Sequence, residues 1–374
     1  MSRLFNRLSP VVKLNVIRIL PFGIIWFLFD QMFSISDYSA RGNFEDFPEA
    51  AVQVDLGILI FGSIAVTIVG LLVGTVEVIY LNRKFATKTL VQKVVYKTLF
   101  YAVLLFGVIL VTFPIAVSME LNTSLLDGMV WERLEAFMFS TSLLNTFIQL
   151  STMLVASLFY SEISEYMGHG VLVKFLTGRY HRPKEETRIF MFSDMKASTR
   201  IAEQLGHSRY FELLDAYYQD LSRGVLSNAG EIYQYVGDEV VISWPVESGL
   251  RNNNCVKCFF MMKADLMAKA EWYRQEFGVA PDFKAGLHIG NVTTGEIGAL
   301  KKEIIFTGDT LNAAARIQGL CNTFEVDLLI SGDLLSRLQL DTRFEIESLG
   351  QCELRGKTKR VELHTITSPE VGYD

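Results

Sequence analysis

Four long apolar runs occupy the first 160 residues of this 374-residue chain, and they limit the fold of that part more than any other feature. The runs are about Leu14–Phe33, Leu56–Tyr80, Val95–Met119 and Phe137–Tyr160. Each run is long enough to cross a hydrocarbon core of about 30 Å as a helix. Half of the chain is hydrophobic, which is rich for a protein without membrane segments. The sequence therefore predicts an all-α four-helix transmembrane bundle over residues 1–160.

The charges that flank the four runs alternate in sign. The first and third loops are mostly acidic. Basic residues stand near the N-terminus and between the second and third runs: Arg3, Arg7, Lys13, Arg18, Arg83, Lys84, Lys88 and Lys93. Because basic loops stay on the cytoplasmic side, we expect a multi-pass protein of the cytoplasmic membrane, in contact with lipid, with both termini in the cytoplasm. The first run could instead be a secretory signal, but its length and the lack of a small-residue cleavage site favour a retained span.

Few ionisable residues stand inside the four runs. Asp30, Asp55 and Glu77 lie near the predicted ends of the runs, where we expect them at the membrane interface. This scarcity argues against a transporter or a channel. The second run carries four glycines that favour close helix packing: Gly57, Gly62, Gly70 and Gly74.

Residues 161–184 mix polar and apolar side chains at helical spacing. The pattern predicts an amphipathic coupling helix or linker that is broken by Gly178 and ends before Pro183. A passive linker fits the same residues equally well.

Strand and helix patterns alternate through residues 185–374. The predicted order is strand, helix, strand, strand, helix and strand, at Ile189–Ser193, Ser198–Ser227, Glu231–Tyr235, Val240–Trp244, Leu250–Phe277 and Phe283–Ile289. This order is the split βαβ arrangement, so the predicted fold class is α+β and ferredoxin-like, with an antiparallel-rich sheet and helices on one face. The net charge of −6 argues against a nucleic-acid partner.

An aspartate, Asp194, ends the apolar run Phe190–Ser193. A lone aspartate at such a place is often only a helix cap. Here Ser198 is better placed to cap the following helix, which leaves Asp194 for other work. The turn Met195–Thr199 can present backbone N–H groups to phosphate oxygens.

A second aspartate, Asp238, follows Gly237 at a break between two predicted strands. The pair suits a hairpin turn, and it also suits a metal carboxylate beside Asp194. Further on, Asn312 and Arg316 stand four residues apart on one face of a predicted helix. The three alanines between them indicate that this helix packs closely against another element.

Together, the segments Phe190–Thr199, Val236–Glu239 and Gly308–Arg316 resemble the motifs of the class III nucleotidyl cyclases, over about Arg188–Thr367. The resemblance implies that residues 185–374 are a cyclase catalytic domain. It implies that this domain uses two Mg²⁺ or Mn²⁺ ions per site to form a cyclic nucleotide and pyrophosphate. The site residues that it implies are, for metal, Asp194, Met195 and Asp238; for catalysis, Asn312 and Arg316; and for substrate, Lys196, Ala197, Ser198, Thr199, Gln234, Gly237, Ile305, Thr307, Arg355 and Lys357. In this family the aspartates and the Asn–Arg pair come from different subunits, so the resemblance also implies a head-to-tail homodimer.

The base-reading positions depart from the pattern of the family. Gln234 stands where adenylate cyclases usually have lysine, and Ile305 stands where they usually have aspartate or threonine. The amide of Gln234 can donate and accept, so it could satisfy either purine, and neighbouring Thr307 offers a hydroxyl. We favour ATP over GTP as the substrate. A guanylate or mixed-purine cyclase, or a non-catalytic nucleotide-binding receptor, is the alternative.

Overall fold

The structure is a computed structural model that describes residues 10–41, 56–81, 84–85, 90–167, 182–299, 302–354 and 360–368. The chain divides into two units, and residues 12–172 form the first, while the second contains residues 173–374. This division falls inside the predicted linker 161–184, of which residues 168–181 lie outside the described part. The predicted domain boundaries therefore stay a prediction.

The first unit is all-helical. Its helices are α1 (Pro10–Arg41), α2 (Leu56–Val76, continued by a π-helical turn over Glu77–Leu81), α3 (Leu90–Leu121), the short α4 (Gly128–Met138) and α5 (Thr141–Met167). Helices α1, α2, α3 and α5 contain segments long and apolar enough to cross a membrane: Asn15–Asp37, Leu56–Leu81, Val95–Leu121 and Thr141–Glu165. The predicted fourth run began too early, because Phe137 belongs to α4. Beyond it the Ser140 hydroxyl donates to the Phe137 carbonyl at 2.8 Å, and a new helix begins at Thr141.

Two glycines of α2 let α1 approach closely. A Cβ atom on Gly70 would come within 2.6 Å of the Trp26 side chain, and one on Gly74 within 2.8 Å of Phe22. The Trp26 indole N–H donates to Ser157 Oγ of α5 at 2.8 Å, which satisfies its one polar atom inside the bundle. The packing predicted from the glycines is confirmed at these two positions, whereas Gly62 faces open space.

Glu77 lies near the end of the apolar segment Leu56–Leu81, yet it is not an exposed residue. Its side chain is fully buried at the start of the π-helical turn. The Lys97 ammonium lies 2.5 Å from Glu77 Oε1, and the Tyr101 hydroxyl donates to Glu77 Oε2 at 2.7 Å. Lys97 also lies 3.4 Å from Glu162 of α5. Hydropathy does not fix how the helices are rotated about their axes, so the sequence did not show that α3 supplies these partners.

We expect the substitution Lys97→Met to destabilise the helical unit by about 3–5 kcal/mol, because it leaves the Glu77 carboxylate buried without its counter-charge. Thermal unfolding in detergent, followed by circular dichroism, measures the effect. The double variant Glu77→Gln/Lys97→Met should recover most of the loss, and Lys93→Met, on the same helix, is the matched control. A melting temperature for Lys97→Met equal to that of the control would contradict this account.

The second unit contains a mixed sheet and surrounding helices. In chain order these are β1 (Lys184–Met195), α6 (Ser198–Leu205), α7 (His207–Ser227), β2 (Glu231–Val236), β3 (Glu239–Pro245), α8 (Val246–Leu250), α9 (Asn254–Ala268), α10 (Ala270–Phe277), β4 (Phe283–Ile297), β5 (Glu303–Thr307), α11 (Asp309–Gly319), α12 (Cys321–Phe324), β6 (Leu328–Ser331), α13 (Gly332–Leu335), β7 (Glu345–Cys352) and β8 (Val361–Thr367). The predicted strand–helix–strand–strand–helix–strand order is confirmed. The predicted single helix Ser198–Ser227 is instead two helices, because Gly206 adopts φ +73° between them.

The strand order of the sheet is β2-β3-β1-β4-β6-β8-β7, and β5 pairs with β4. The β4–β6 pair is parallel, and the other pairs are antiparallel. Strand β1 lies between β3 and β4 and is buried on both faces over Arg188–Ser193, which explains its uninterrupted apolar run. The last residues of β1 therefore lie where the strand ends, with a hydrogen-bonded strand on each side.

Helices cover both faces of this sheet, not one as predicted. Ile189 and Met191 of β1 face the main core, which contains residues of α7 and α9. Phe190 and Phe192 point to the opposite face, as alternate residues of a strand must, and pack with Ala314 of α11. Helix α11 therefore packs closely against this face of the sheet.

The close approach of α11 depends on a glycine of β4. A Cβ atom on Gly286 would lie 2.3 Å from the backbone nitrogen of Gln318. The alanines that predicted tight packing of this helix are thus matched by a glycine in the sheet.

Candidate active site

Two carboxylates meet at the end of the central strand. Asp194 lies at the end of β1, where it pairs with Glu239 of β3, and Asp238 is the residue before Glu239 in the β2–β3 turn. Gly237 adopts φ +64° in that turn, a conformation that favours glycine. The side chains of Asp194 and Asp238 are close enough to share a hydrogen bond. The hairpin interpretation and the paired-carboxylate interpretation of Gly237–Asp238 therefore hold together.

The electrostatics of this pair favour a cation. Burial and the neighbouring Asp238 carboxylate raise the pKa of Asp194 above its usual range, although the Lys284 ammonium opposes them. Burial and the same two aspartates raise the pKa of Glu239 to about 6. The Oδ2 atom of Asp238 is buried and has no hydrogen-bond partner. A buried carboxylate oxygen without a donor costs free energy that a bound cation would remove.

These residues fit a magnesium or manganese ion. Mg²⁺ is usually held by one or two carboxylates together with water and substrate phosphates. Over the described ranges, no group of three or more histidine, cysteine, aspartate and glutamate side chains is arranged to hold a metal. Met195 is 2% exposed and has no side-chain oxygen, so only its main-chain carbonyl could serve as a ligand. Two carboxylates and one main-chain carbonyl leave coordination positions on the ion for a triphosphate.

The loop after Asp194 is held by a cluster of four charges, Lys196, Lys263, Asp282 and Asp327. The Lys196 N–H donates to the Asp282 carbonyl at 2.8 Å, and its ammonium pairs with the Asp282 carboxylate at 2.7 Å and with Asp327. Lys263, 6% exposed, contacts the same two carboxylates at 2.5 and 2.6 Å. The backbone N–H and the ammonium of Lys196 are thus engaged in bracing the loop, and its predicted contact with substrate stays a prediction.

The helix after this loop begins at Ser198, but the predicted cap was wrong. Ala197 is the N-cap residue, with φ +55° and no side-chain cap hydrogen bond. The Ser198 side chain is instead hydrogen-bonded to Tyr210 of α7. The first amides of a helix have no intrahelical acceptor, so the backbone N–H groups of Ser198 and Thr199 can serve as phosphate donors. They begin four residues after Asp194.

Several contacts around the aspartates were missed by sequence reasoning. Lys284 of β4 lies opposite Asp194 in the strand register, with its ammonium 3.5 Å from Asp194 Oδ2. Gln318 of α11 donates to the same oxygen at 3.3 Å. The Tyr218 hydroxyl donates to the Gly237 carbonyl, and burial, with the nearby Asp238 charge, raises the pKa of Tyr218 to about 12. No local sequence signal marks these residues, because strand register and helix packing bring them to the site.

The Asn–Arg pair lies on the outer side of α11. Ala313, Ala314 and Ile317 form its buried side, whereas Asn312 is exposed and Arg316 is half-buried. The four-residue spacing therefore places both side chains away from the core of their own chain.

The predicted base-reading positions come from β2 and β5, which an aromatic pair connects. Tyr233 and Phe306 have ring centroids 4.8 Å apart, and the Phe306 N–H donates to the Tyr233 hydroxyl at 3.3 Å. Gln234 follows Tyr233 in β2 and is exposed, while half-buried Ile305 precedes Phe306 in β5.

Three further predicted positions are less informative. Thr307 is exposed, and its hydroxyl donates to the Thr293 carbonyl at 3.3 Å. Arg355 and Lys357 lie outside the described residues.

This chain is similar to several curated proteins. Adenylate cyclase 2 of Rhizobium meliloti (strain 1021) is 35% identical over 217 residues, which are 58% of this chain and 60% of that protein. Adenylate cyclase 1 of the same organism is 26% identical over 182 residues, 47% of this chain and 27% of that protein. The chain thus spans less than two thirds of the length of these curated relatives.

Among solved structures, a bacterial light-regulated adenylyl cyclase matches with a TM-score of 0.51 and 21% identity, over 59% of this chain and 64% of that one. This likeness concerns the fold alone. Residues 180–368, about half of the chain, match the family described as the adenylate and guanylate cyclase catalytic domain. The chain therefore belongs to the adenylate and guanylate cyclase catalytic domain family.

Proposed function

We propose that this chain is a membrane-anchored adenylate cyclase that converts ATP to 3′,5′-cyclic AMP and pyrophosphate at a site shared by two copies. The observation that carries the proposal is the half-buried pair Asp194–Asp238, with one buried Asp238 oxygen lacking a donor, beside the first turn of α6. The 35% identity to a protein named adenylate cyclase supports it.

The site residues of this chain have different roles according to their chemistry. Asp194, Asp238 and the Met195 carbonyl would hold two Mg²⁺ or Mn²⁺ ions. When bound, such ions lower the pKa of the attacking ribose hydroxyl and neutralise the triphosphate. The amides of Ser198 and Thr199 bind phosphate oxygens at the helix N-terminus.

Asn312 and Arg316 complete the site from a second copy. The Asn312 amide orients the ribose so that its 3′-oxygen faces the α-phosphorus. The Arg316 guanidinium supplies positive charge where negative charge accumulates on the α-phosphoryl oxygens. Their outward position on α11 suits a partner chain, and a head-to-tail homodimer of two such chains would form two equivalent sites.

The substrate that we favour is ATP. Support comes from the names of the relatives, since neither Gln234 nor Ile305 matches the usual base-reading residues. The Gln234 amide can pair with adenine or with guanine, so a guanylate or mixed-purine cyclase is the second candidate. The presence of Asp194, Asp238, Asn312 and Arg316 together argues against a non-catalytic nucleotide-binding receptor.

The helical unit would anchor the enzyme in the cytoplasmic membrane. Four helices have the length and composition to span a bilayer. The basic flanks of the spans favour cytoplasmic termini. Residues 161–184 would then couple the spans to the catalytic unit.

Purified full-length protein in detergent tests the function. With Mg²⁺ or Mn²⁺ we expect cyclic AMP from ATP, and less cyclic GMP from GTP, both measured by chromatography. The variant Asp215→Asn, an exposed carboxylate on α7 that accepts from Gln219, is the control that should match wild type. A preference for GTP would favour the second candidate. Absence of any cyclic product above that of Asp194→Asn would overturn the proposed activity.

A further inference from the structure

Helix α11 makes a polar contact with the metal carboxylate of its own chain. The Gln318 side-chain amide donates to Asp194 Oδ2 at 3.3 Å, and Gln318 is only 7% exposed. The Lys284 ammonium lies 3.5 Å from the same oxygen and donates to Asn322 Oδ1 at 3.1 Å. Both contacts are to Oδ2 of the Asp194 carboxylate, which itself lies beside Asp238.

The backbone around Gln318 is held against the sheet. A Cβ atom on Gly286 would lie 2.3 Å from the backbone nitrogen of Gln318 and 2.9 Å from the Ala314 carbonyl oxygen. Helix α11 therefore has no space to move toward β4, and its packing fixes the reach of the Gln318 side chain to Asp194. A neutral amide at this place orients a carboxylate without competing for the cation, as hydrogen-bond partners of metal ligands do.

We propose that Gln318 is a positioning residue that orients the Asp194 carboxylate for divalent cations and ties it to the helix that carries Asn312 and Arg316. This inference rests on the proposed function. In a head-to-tail dimer, Asp194 of one chain belongs to one site, and Asn312 and Arg316 of that chain belong to the other. Gln318 thereby connects the metal half of one site to the catalytic pair of the next through a single helix.

Direct cation binding tests the positioning role without reference to turnover. The full-length chain is titrated with Mn²⁺, and free Mn²⁺ is followed by its paramagnetic resonance signal. Gln318→Met keeps the length of the side chain but removes the donor. We expect it to weaken Mn²⁺ binding about tenfold, the lower end of the effect typical of lost partners of metal ligands.

The control for this titration is Gln219→Met. It makes the same substitution and removes an amide donated to Asp215 at 2.9 Å on the surface of α7. Equal Mn²⁺ affinity in Gln318→Met and Gln219→Met would overturn the positioning role.

The connection between sites is tested in mixed dimers. A chain with Arg316→Ala and a chain with Asp194→Ala, purified together through different tags, form one complete site. That site uses the aspartates of the first chain and the arginine of the second. Gln318→Met on the first chain should raise the Mn²⁺ concentration needed for half-maximal activity about tenfold, with a smaller change in kcat.

The same substitution on the second chain should add no comparable shift, because the carboxylate that Gln318 holds there has already been removed. Equal effects on both chains would mean that Gln318 acts through α11 packing, and would overturn the proposal. An inactive mixed dimer without any Gln318 substitution would instead count against the shared site of the proposed function, and the Mn²⁺ titration would still decide the role of Gln318.

Discussion

Replacing Asp194 or Asp238 by asparagine should reduce cyclisation by at least about 10³-fold, since the transition-state charge that bound cations stabilise amounts to several kcal/mol. Asparagine keeps the shape of each side chain and suits the Gly237 turn, so the fold should persist. The rate of cyclic product formation at saturating ATP and Mn²⁺ measures the loss. Near-normal turnover in either purified variant would remove the metal assignment.

The variant Asp194→Asn should also separate the loss of activity from any loss of thermal stability. Burial and Asp238 raise the pKa of Asp194, so its ionised form is disfavoured in the folded chain. An acid whose pKa is raised by folding loses its stabilising effect as pH rises through that pKa. At pH 8 without metal, Asp194→Asn should therefore melt no lower than wild type. Added Mn²⁺ should raise the melting temperature of wild type and leave that of the variant unchanged, because only wild type binds the ion.

Arg316→Ala and Asp194→Ala, each inactive alone, should recover activity when co-expressed. Random pairing gives heterodimers with one complete site, so roughly a quarter of wild-type activity is expected from a two-fold assembly with shared sites. The rate is measured on the purified mixture, with the heterodimer fraction determined through two affinity tags.

A second mixture controls for this complementation. Asp194→Ala with Asp238→Ala damages the metal half of both chains, so this mixture should stay inactive. Recovery in the control, or none in the first mixture at a normal heterodimer fraction, would contradict the shared site.

Local signals account for what the sequence predicted correctly. Asp194 lies at the end of a strand buried on both faces, and Asp238 follows a glycine in a hairpin, so the position of each was recognisable within a few residues. The alternation of strands and helices and the close packing of α11 were likewise visible in short windows. The predicted cap after Asp194 was wrong because Ala197, in the left-handed region, occupies the N-cap position, where no side chain makes a capping hydrogen bond.

Contacts set by long-range packing were not predictable. Lys284 reaches Asp194 because the β1–β4 register pairs residues ninety positions apart, and one step of register would turn it to the other face. Gln318 reaches the same carboxylate because Gly286 admits α11 to the sheet. The Glu77–Lys97 pair depends on the rotation of two helices about their axes, which hydropathy leaves open.

The central position of β1 has a consequence for control of the proposed cyclase. Its pairing with β3 continues to Asp194–Glu239, and its pairing with β4 continues to Met195–Phe283. Moving the backbone of Asp194 away from Asp238 would break hydrogen bonds on both sides of the strand, so the sheet holds the backbone separation of the two residues within each chain. In the proposed homodimer, the adjustable quantity is then the angle at which two chains meet. We expect any stimulus received by the membrane spans to change kcat through that angle and to leave the intrinsic cation affinity of each chain as it was.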